Sequence, residues 1–123
     1  MTGIMDKRRF YIGGEWVEPL AANDLDVIDP STEEVVAVIS LGGQADTDRA
    51  VAAAKSAFAS WSVVPPAERL ACVERILAIY QRRAQEMARA ISTEVGAPQD
   101  MALGDQTGAG IYHIQNFITA FRD

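Results

Sequence analysis

The hydrophobic pattern changes period at Gln44, and that change sets what the chain can fold into. From there apolar residues recur in four stripes: Val51, Ala54, Phe58 and Trp61; Leu70, Val73, Leu77 and Tyr80, widened by Ile76; Met87, Ile91 and Val95; and Ile111, Ile114, Ile118 and Phe121, broadened by Phe117. Steps of three and four residues put such side chains on one face of an α-helix. End signals bound the stripes. Asp46 or Thr47 can cap the first helix. Pro65-Pro66 opens the second in a first turn where no donor is lost, and Glu68 lies near its positive end. Gly96 suits a left-handed helix terminus, and Pro98 closes the element after it. One long helix or two abutting ones both fit residues 66–95. A last helix lies within residues 99–122, where Gly104, Gly108 and Gly110 each cost about 1 kcal/mol in a helix interior. Those glycines predict either a close backbone approach to a neighbour or a later start.

Ahead of Gln44 the chain reads as strands and turns. Phe10-Tyr11-Ile12 and Trp16-Val17 flank Gly13-Gly14-Glu15, an aromatic hairpin whose glycines supply positive φ. Residues 25–28 and 35–39 form two more runs rich in Val and Ile, joined through Asp29-Pro30-Ser31-Thr32. There Pro30 presets φ for a turn and Asp29 can accept from the backbone. Antiparallel pairs of this kind are marginal until another surface packs on them. The expected organisation is a tail over residues 1–8, strands over about 9–40 and three or four helices over about 46–122.

A length of 123 residues fits one small domain or a piece of a larger one, and a cofactor sheet with a substrate domain rarely fits into so few. An apolar fraction of 49% argues against wholesale disorder, and a net charge of −6 leaves no basic field for nucleic acid. The sequence has no apolar run long enough for a membrane span and no signal-peptide core, so neither a membrane nor a secretory role is expected. Its single cysteine, Cys72, cannot form an intramolecular disulfide, which points to a reducing cytoplasm.

Each residue with chemical potential has a plainer reading. Cys72 sits mid-helix between Ala71 and Val73 with no histidine near it in sequence, as a packed cysteine does. His113 is the sole histidine, with no second His or Cys at ligand spacing, and reads as a helix-surface or interface residue. Gly108-Ala109-Gly110 lacks both the third glycine and the preceding strand of a dinucleotide fingerprint. Gly42-Gly43 has better strand-to-helix context but no Lys-Ser/Thr, and reads as a turn. Asp46, Asp48, Glu68, Glu74, Glu86, Glu94, Asp100 and Asp105 read as solvated helix faces, and Phe58 with Trp61 as core. Residue chemistry alone supplies no catalytic, cofactor-binding or metal-binding set.

In order, Tyr11-Ile12-Gly13-Gly14-Glu15-Trp16-Val17, Val27-Ile28-Asp29-Pro30-Ser31-Thr32-Glu33-Glu34-Val35, Asp48-Arg49-Ala50-Val51-Ala52-Ala53-Ala54, Phe58, Trp61, Arg69-Leu70 and Glu94-Val95-Gly96-Ala97-Pro98 resemble the N-terminal region of the aldehyde dehydrogenase superfamily. The family usually has Gly where Glu33 stands and commonly Lys where Ala97 stands. The resemblance implies an α/β fold with a Rossmann-like cofactor domain, of which this chain covers only the first part: β-hairpins followed by three or four helices. It implies a cytoplasmic, homo-oligomeric enzyme that oxidises an aldehyde with NAD or NADP through a cysteine thiohemiacetal and thioester. The family's catalytic Cys, Glu and Asn and its pyrophosphate-binding glycines lie downstream of the matched region, and Cys72 does not match the nucleophile's motif. The chain alone is therefore expected to be inactive and to bind no cofactor. Gly110, Ile114 and Phe117 correspond to positions near the mouth of the substrate tunnel. Two expectations follow: a truncated part of such a dehydrogenase that self-associates through its apolar helix faces, or a non-catalytic helical interaction module derived from the same region.

Overall fold

A computed structural model describes residues 3–122. The chain divides between Val63 and Val64 into two units. In the first unit β1 (Met5–Lys7), β4 (Asp24–Asp29) and β5 (Glu34–Ser40) form a sheet in the order β1-β5-β4. β2 (Phe10–Ile12) and β3 (Glu15–Val17) form a separate hairpin, and α1 spans Gln44–Trp61.

The hairpin follows from its two glycines. Gly13 and Gly14 take φ of 64° and 88°, the consecutive left-handed pair that lets a two-residue turn match strand twist. Tyr11 and Trp16 then face each other across the strands, with ring centroids 5.2 Å apart and tilted by 56°. β4 and β5 pair antiparallel, Asp24 opposite Ser40 and Asp29 opposite Glu34, with a register slip at Val27/Ile28. The turn between them is tied by Asp29, whose Oδ1 accepts from the Ser31 N–H at 2.8 Å and whose carbonyl accepts from the Glu33 N–H at 2.8 Å. Closing it forces Glu33 to a φ of 62°, and Glu33 is the sole non-glycine residue at positive φ among the described residues.

Residues 1–8, expected as a tail, contain β1, which runs parallel to β5 with Met5 opposite Ala37 and Lys7 opposite Ile39. Three residues too short to show a pattern of their own become a strand because β5 offers a free edge. Arg8, just after β1, forks onto Asp6 (Nε at 3.0 Å, Nη2 at 2.7 Å) and reaches Asp24 through Nη1 at 3.2 Å. The Arg8 guanidinium holds the Asp6 carboxyl at about 2, below its ordinary 3.8, by direct hydrogen bonding.

α1 starts two residues before the expected 46, because Gly43 and not Asp46 or Thr47 is the N-cap. Asp46 is the third helical residue, reaching back to accept from the Gly43 N–H at 3.2 Å and from the Leu20 N–H at 2.9 Å. It is buried rather than solvated, and fastens the segment after β3 to the start of the helix. The stripe expected to be core on α1 is exposed, Phe58 at 65% and Trp61 at 47%. The hairpin instead touches the alanine face, where the backbone comes close: a Cβ at Gly13 would lie 3.9 Å from that of Ala53.

The second unit is helical. α2 (Pro66–Arg82) and α3 (Ala84–Val95) are two abutting helices, separated at Arg83 by a φ of −100° and ψ of 13°. α3 ends at Gly96 with φ 74°, the left-handed terminus expected there. Its end is further closed by Ser92, whose carbonyl accepts from the Gly96 N–H at 2.9 Å and whose hydroxyl donates to the Ala97 carbonyl at 2.7 Å. The region after Pro98 is not one helix: a single turn α4 (Gln99–Met101) leads into a π-helical segment, Ala102–Thr107, and then α5 (Gly108–Arg122). α3 packs on the π-helical segment and α2 on α5, and an Arg122–Glu74 ion pair joins the latter two. The buried residues are small: Ala88, Ala102 and Thr107, with Ile118 the largest apolar one.

Candidate functional site

Gly110, Ile114 and Phe117 all lie on α5, at steps of four and three that put them on one arc of the helix. Their surroundings differ. Gly110 is half-buried against α2, where a Cβ would fall 2.5 Å from Tyr80 Oη and 2.9 Å from its Cζ. Here the glycine signal is resolved: this position requires the close approach, whereas Gly104 has nothing within 4 Å of its Cβ direction. Ile114 is half-buried and Phe117 is 58% exposed. The arc is thus an apolar strip running from the α2–α5 contact out to solvent, with no ionisable group in it.

Immediately before this strip, Thr107 is fully buried and its Oγ1 has no hydrogen-bond partner. It closes the π-helical segment, whose wider turn shifts the residues that follow around the helix axis. Neither Thr107 nor Tyr80 stood out in the sequence as a site residue, although the cost of glycine at 110 pointed towards a crowding neighbour.

The remaining candidates fall into place separately. Cys72 is half-buried on α2, its Sγ accepting from Arg75 Nη2 at 2.9 Å. His113 is exposed on α5, edge-on to Tyr112 with centroids 5.8 Å apart. Among the described residues no group of His, Cys, Asp and Glu is arranged to hold a metal ion, and no helix is long and apolar enough to cross a membrane. A shallow groove runs between the hairpin and α1, lined by Tyr11, Ile12, Gly13, Ala50, Ala53 and Ala57.

The Gly42-Gly43 turn does not fit a pyrophosphate. Gly42-Gly43 does join β5 to the N-terminus of α1, the context in which a pyrophosphate is bound. The Asp46 carboxylate already occupies that helix end and takes the Gly43 N–H, so a phosphate there would meet a buried negative charge.

Strand pairs, a two-glycine hairpin and a helical unit are the parts of an α/β protein. The chain belongs to the aldehyde dehydrogenase family, whose family model matches residues 16–123. It is similar to a 3-succinoylsemialdehyde-pyridine dehydrogenase of a Pseudomonas species, at 40% identity over 98% of this chain and 25% of that protein. Among solved structures, an aldehyde dehydrogenase from Bartonella henselae matches 97% of this chain and 25% of its own with 55% identity and a TM-score of 0.96. Aldehyde dehydrogenase C from Pseudomonas syringae, solved as a mutant with NAD+ and octanal, matches 94% of this chain and 24% of its own at 40% identity and a TM-score of 0.91. The chain thus spans about a quarter of the length of these relatives. The resemblance carried by Tyr11 to Val17 and the segments after it is confirmed, and with it the α/β fold class.

Proposed function

We propose that the chain is the N-terminal part of an enzyme that oxidises an aldehyde to a carboxylic acid with NAD. What carries this reading is the agreement of nearly its whole backbone with a quarter of an aldehyde dehydrogenase, at a TM-score of 0.96. NAD is preferred over NADP because related structures, from Pseudomonas syringae and Mycobacterium tuberculosis, were solved with NAD+. In this reading Gly110, Ile114 and Phe117 form part of the wall of the substrate passage. The nucleophile, the activating carboxylate and the cofactor site are supplied by other parts of the enzyme, which acts in the cytoplasm as a homo-oligomer. No reaction step is assigned to residues of this chain.

The test is aldehyde-dependent production of NADH. The complete protein carrying this segment should turn over aldehyde with NAD, while the chain of residues 1–123 alone should give none. A folded complete protein that reduces no NAD with any aldehyde in a broad series refutes the reading. The chain alone should also self-associate through exposed Phe58, Trp61 and Phe117, since exposed apolar patches rarely stay solvated. Light scattering that reports a monomer across micromolar concentrations refutes that part.

A further inference from the structure

α1 presents an apolar seam that the chain leaves uncovered. Thr47, Val51, Ala54, Phe58 and Trp61 follow one another at steps of four and three residues, the seven-residue repeat by which one helix lies along another. All are exposed, Val51 and Phe58 by more than half. The hairpin takes a different face of the helix, reached through Gly13 and Ala53. The charged residues of α1 are Asp46, Asp48, Arg49 and Lys55, and they stand differently towards the seam. Asp46 is buried at the helix start, and Arg49 lies on the side away from the seam. Asp48 and Lys55 each come one residue after a seam position, Thr47 and Ala54, and so flank it along the same edge. Among the described residues neither makes an ion pair within the chain. Asp48 Oδ1 accepts from the neutral Gln44 Nε2 at 2.8 Å.

We propose that α1 docks on α1 of a second copy of this chain, antiparallel about a twofold axis, with Asp48 of each copy paired to Lys55 of the other. This specifies the contact behind the self-association read above, and rests on that reading. The seam is complementary to itself in this direction. When Val51 is level with Ala54 of the second copy, Phe58 is level with its Thr47 and Trp61 with its Gln44, the first residue of the helix. The twofold repeats each contact, so every layer sets a large side chain against a smaller one. The flanking charges agree with that register. In an antiparallel pair the residues that follow the seam on one helix meet their equivalents on the other, and Asp48 and Lys55 then lie within about 3 Å of each other along the axis, at 1.5 Å per residue. A parallel pair sets Phe58 against Phe58 and Ala54 against Ala54. It also places Lys55 opposite Ala50, so that neither Asp48 nor Lys55 meets an opposite charge.

The experiment uses the chain of residues 1–123 and measures its dimer dissociation constant by sedimentation equilibrium. Asp48→Lys and Lys55→Asp each turn both ion pairs into like-charge contacts, and each should raise the constant by about tenfold, the scale for two exposed charge pairs. An equimolar mixture of the two variants makes every pair opposite again and should associate as tightly as the parent. The double variant Asp48→Lys with Lys55→Asp should do the same. Loss of folded chain in a single variant is told apart, because mixing does not repair it and circular dichroism reports it. A dimer whose constant neither single change moves, or a mixture no tighter than its components, overturns the α1 pairing and leaves self-association through other faces standing. A parent chain that stays monomeric overturns both, and gives the α1 seam to another part of the complete enzyme as its cover. Aldehyde turnover, read on the complete protein, is independent of either result.

Discussion

Replacing Glu33 by glycine should stabilise the chain, and the reason lies entirely in one backbone angle. Glu33 closes the β4–β5 turn at φ 62°, where a side chain crowds the neighbouring carbonyl. Holding an L-residue there costs about 1–2 kcal/mol. Against this stands the greater freedom that glycine gives the unfolded chain, about 0.5–1 kcal/mol. The side chain itself is exposed, and the bond that the residue makes in the turn is the backbone N–H donated to the Asp29 carbonyl at 2.8 Å, which glycine retains. The Asp29 carboxylate continues to accept from the Ser31 N–H. The net expectation for Glu33→Gly is a gain of about 1 kcal/mol, or roughly 4 °C in Tm for a chain of this size. Thermal unfolding followed by circular dichroism measures it, with Glu33→Ala as the control that removes the side chain while keeping the Cβ. Strain predicts that only glycine stabilises. A Glu33→Ala variant that gains as much as Glu33→Gly shows that charge or side-chain entropy, not φ, governs this turn. A Glu33→Gly variant that melts below the parent refutes the reasoning outright.

Other perturbations read other parts of the structure. Thr107→Val keeps the shape of a fully buried residue while removing a hydroxyl that has no partner, and should add about 1 kcal/mol of stability in urea unfolding; a loss of stability would mean that the hydroxyl is satisfied in solution. Asp46→Ala removes the acceptor of two backbone N–H groups and should cost about 2 kcal/mol, with faster amide exchange at Leu20 and Gly43 as the specific signature; unchanged exchange at both refutes the tie. The Asp6 carboxyl should titrate at about 2 by NMR and move back towards 3.8 in Arg8→Gln. Because its pKa is lowered by folding, the stabilisation it gives is present above the unfolded value and is lost as pH falls through the folded one. A wild-type midpoint near 4 would show that the Arg8 fork does not persist in solution.

What the sequence disclosed was whatever is decided locally. Gly13-Gly14 and Gly96 name their own backbone angles, so the hairpin and the end of α3 were legible from single residues. The helical stripes were legible because periodicity is a property of each segment alone. Periodicity does not say what covers a face, and so Phe58 and Trp61 were expected inside and lie outside. β1 was invisible because three residues have no pattern, and their hydrogen bonds come from β5, remote in sequence. Asp46 was recognised as a residue for a helix start, but its burial depends on Leu20 coming back to meet it. On α5 the positions came from family resemblance, whereas the contact that gives Gly110 its meaning joins two helices and is absent from any window of sequence. The π-helical segment is of the same kind, since the single glycine within it, Gly104, has nothing near its Cβ direction to justify it.

Burial in this chain is inverted by size. Among the described residues the buried positions are Ala37, Ser40, Asp46, Ala88, Ala102, Thr107 and Ile118, while Phe58, Trp16, Tyr11, Tyr112 and Phe117 are more than half exposed. Close helix packing explains the first set, because small residues let α3 approach the π-helical segment and Gly110 admits Tyr80. It cannot explain the second, since large aromatic side chains carry most of the apolar area that folding gains by hiding. A chain that folds through small contacts and leaves its largest side chains outside has placed its local geometry ahead of its own burial. That arrangement suits a segment whose broad apolar faces are completed by other surfaces, in keeping with relatives about four times its length. It also fixes where variants should act. Substitutions at the buried small positions perturb how the segment folds, whereas Phe58→Ser or Trp61→Ser should leave its circular dichroism unchanged and reduce its self-association in light scattering. If those two serine variants unfold the chain, then Phe58 and Trp61 are part of its own core and the inversion is not real.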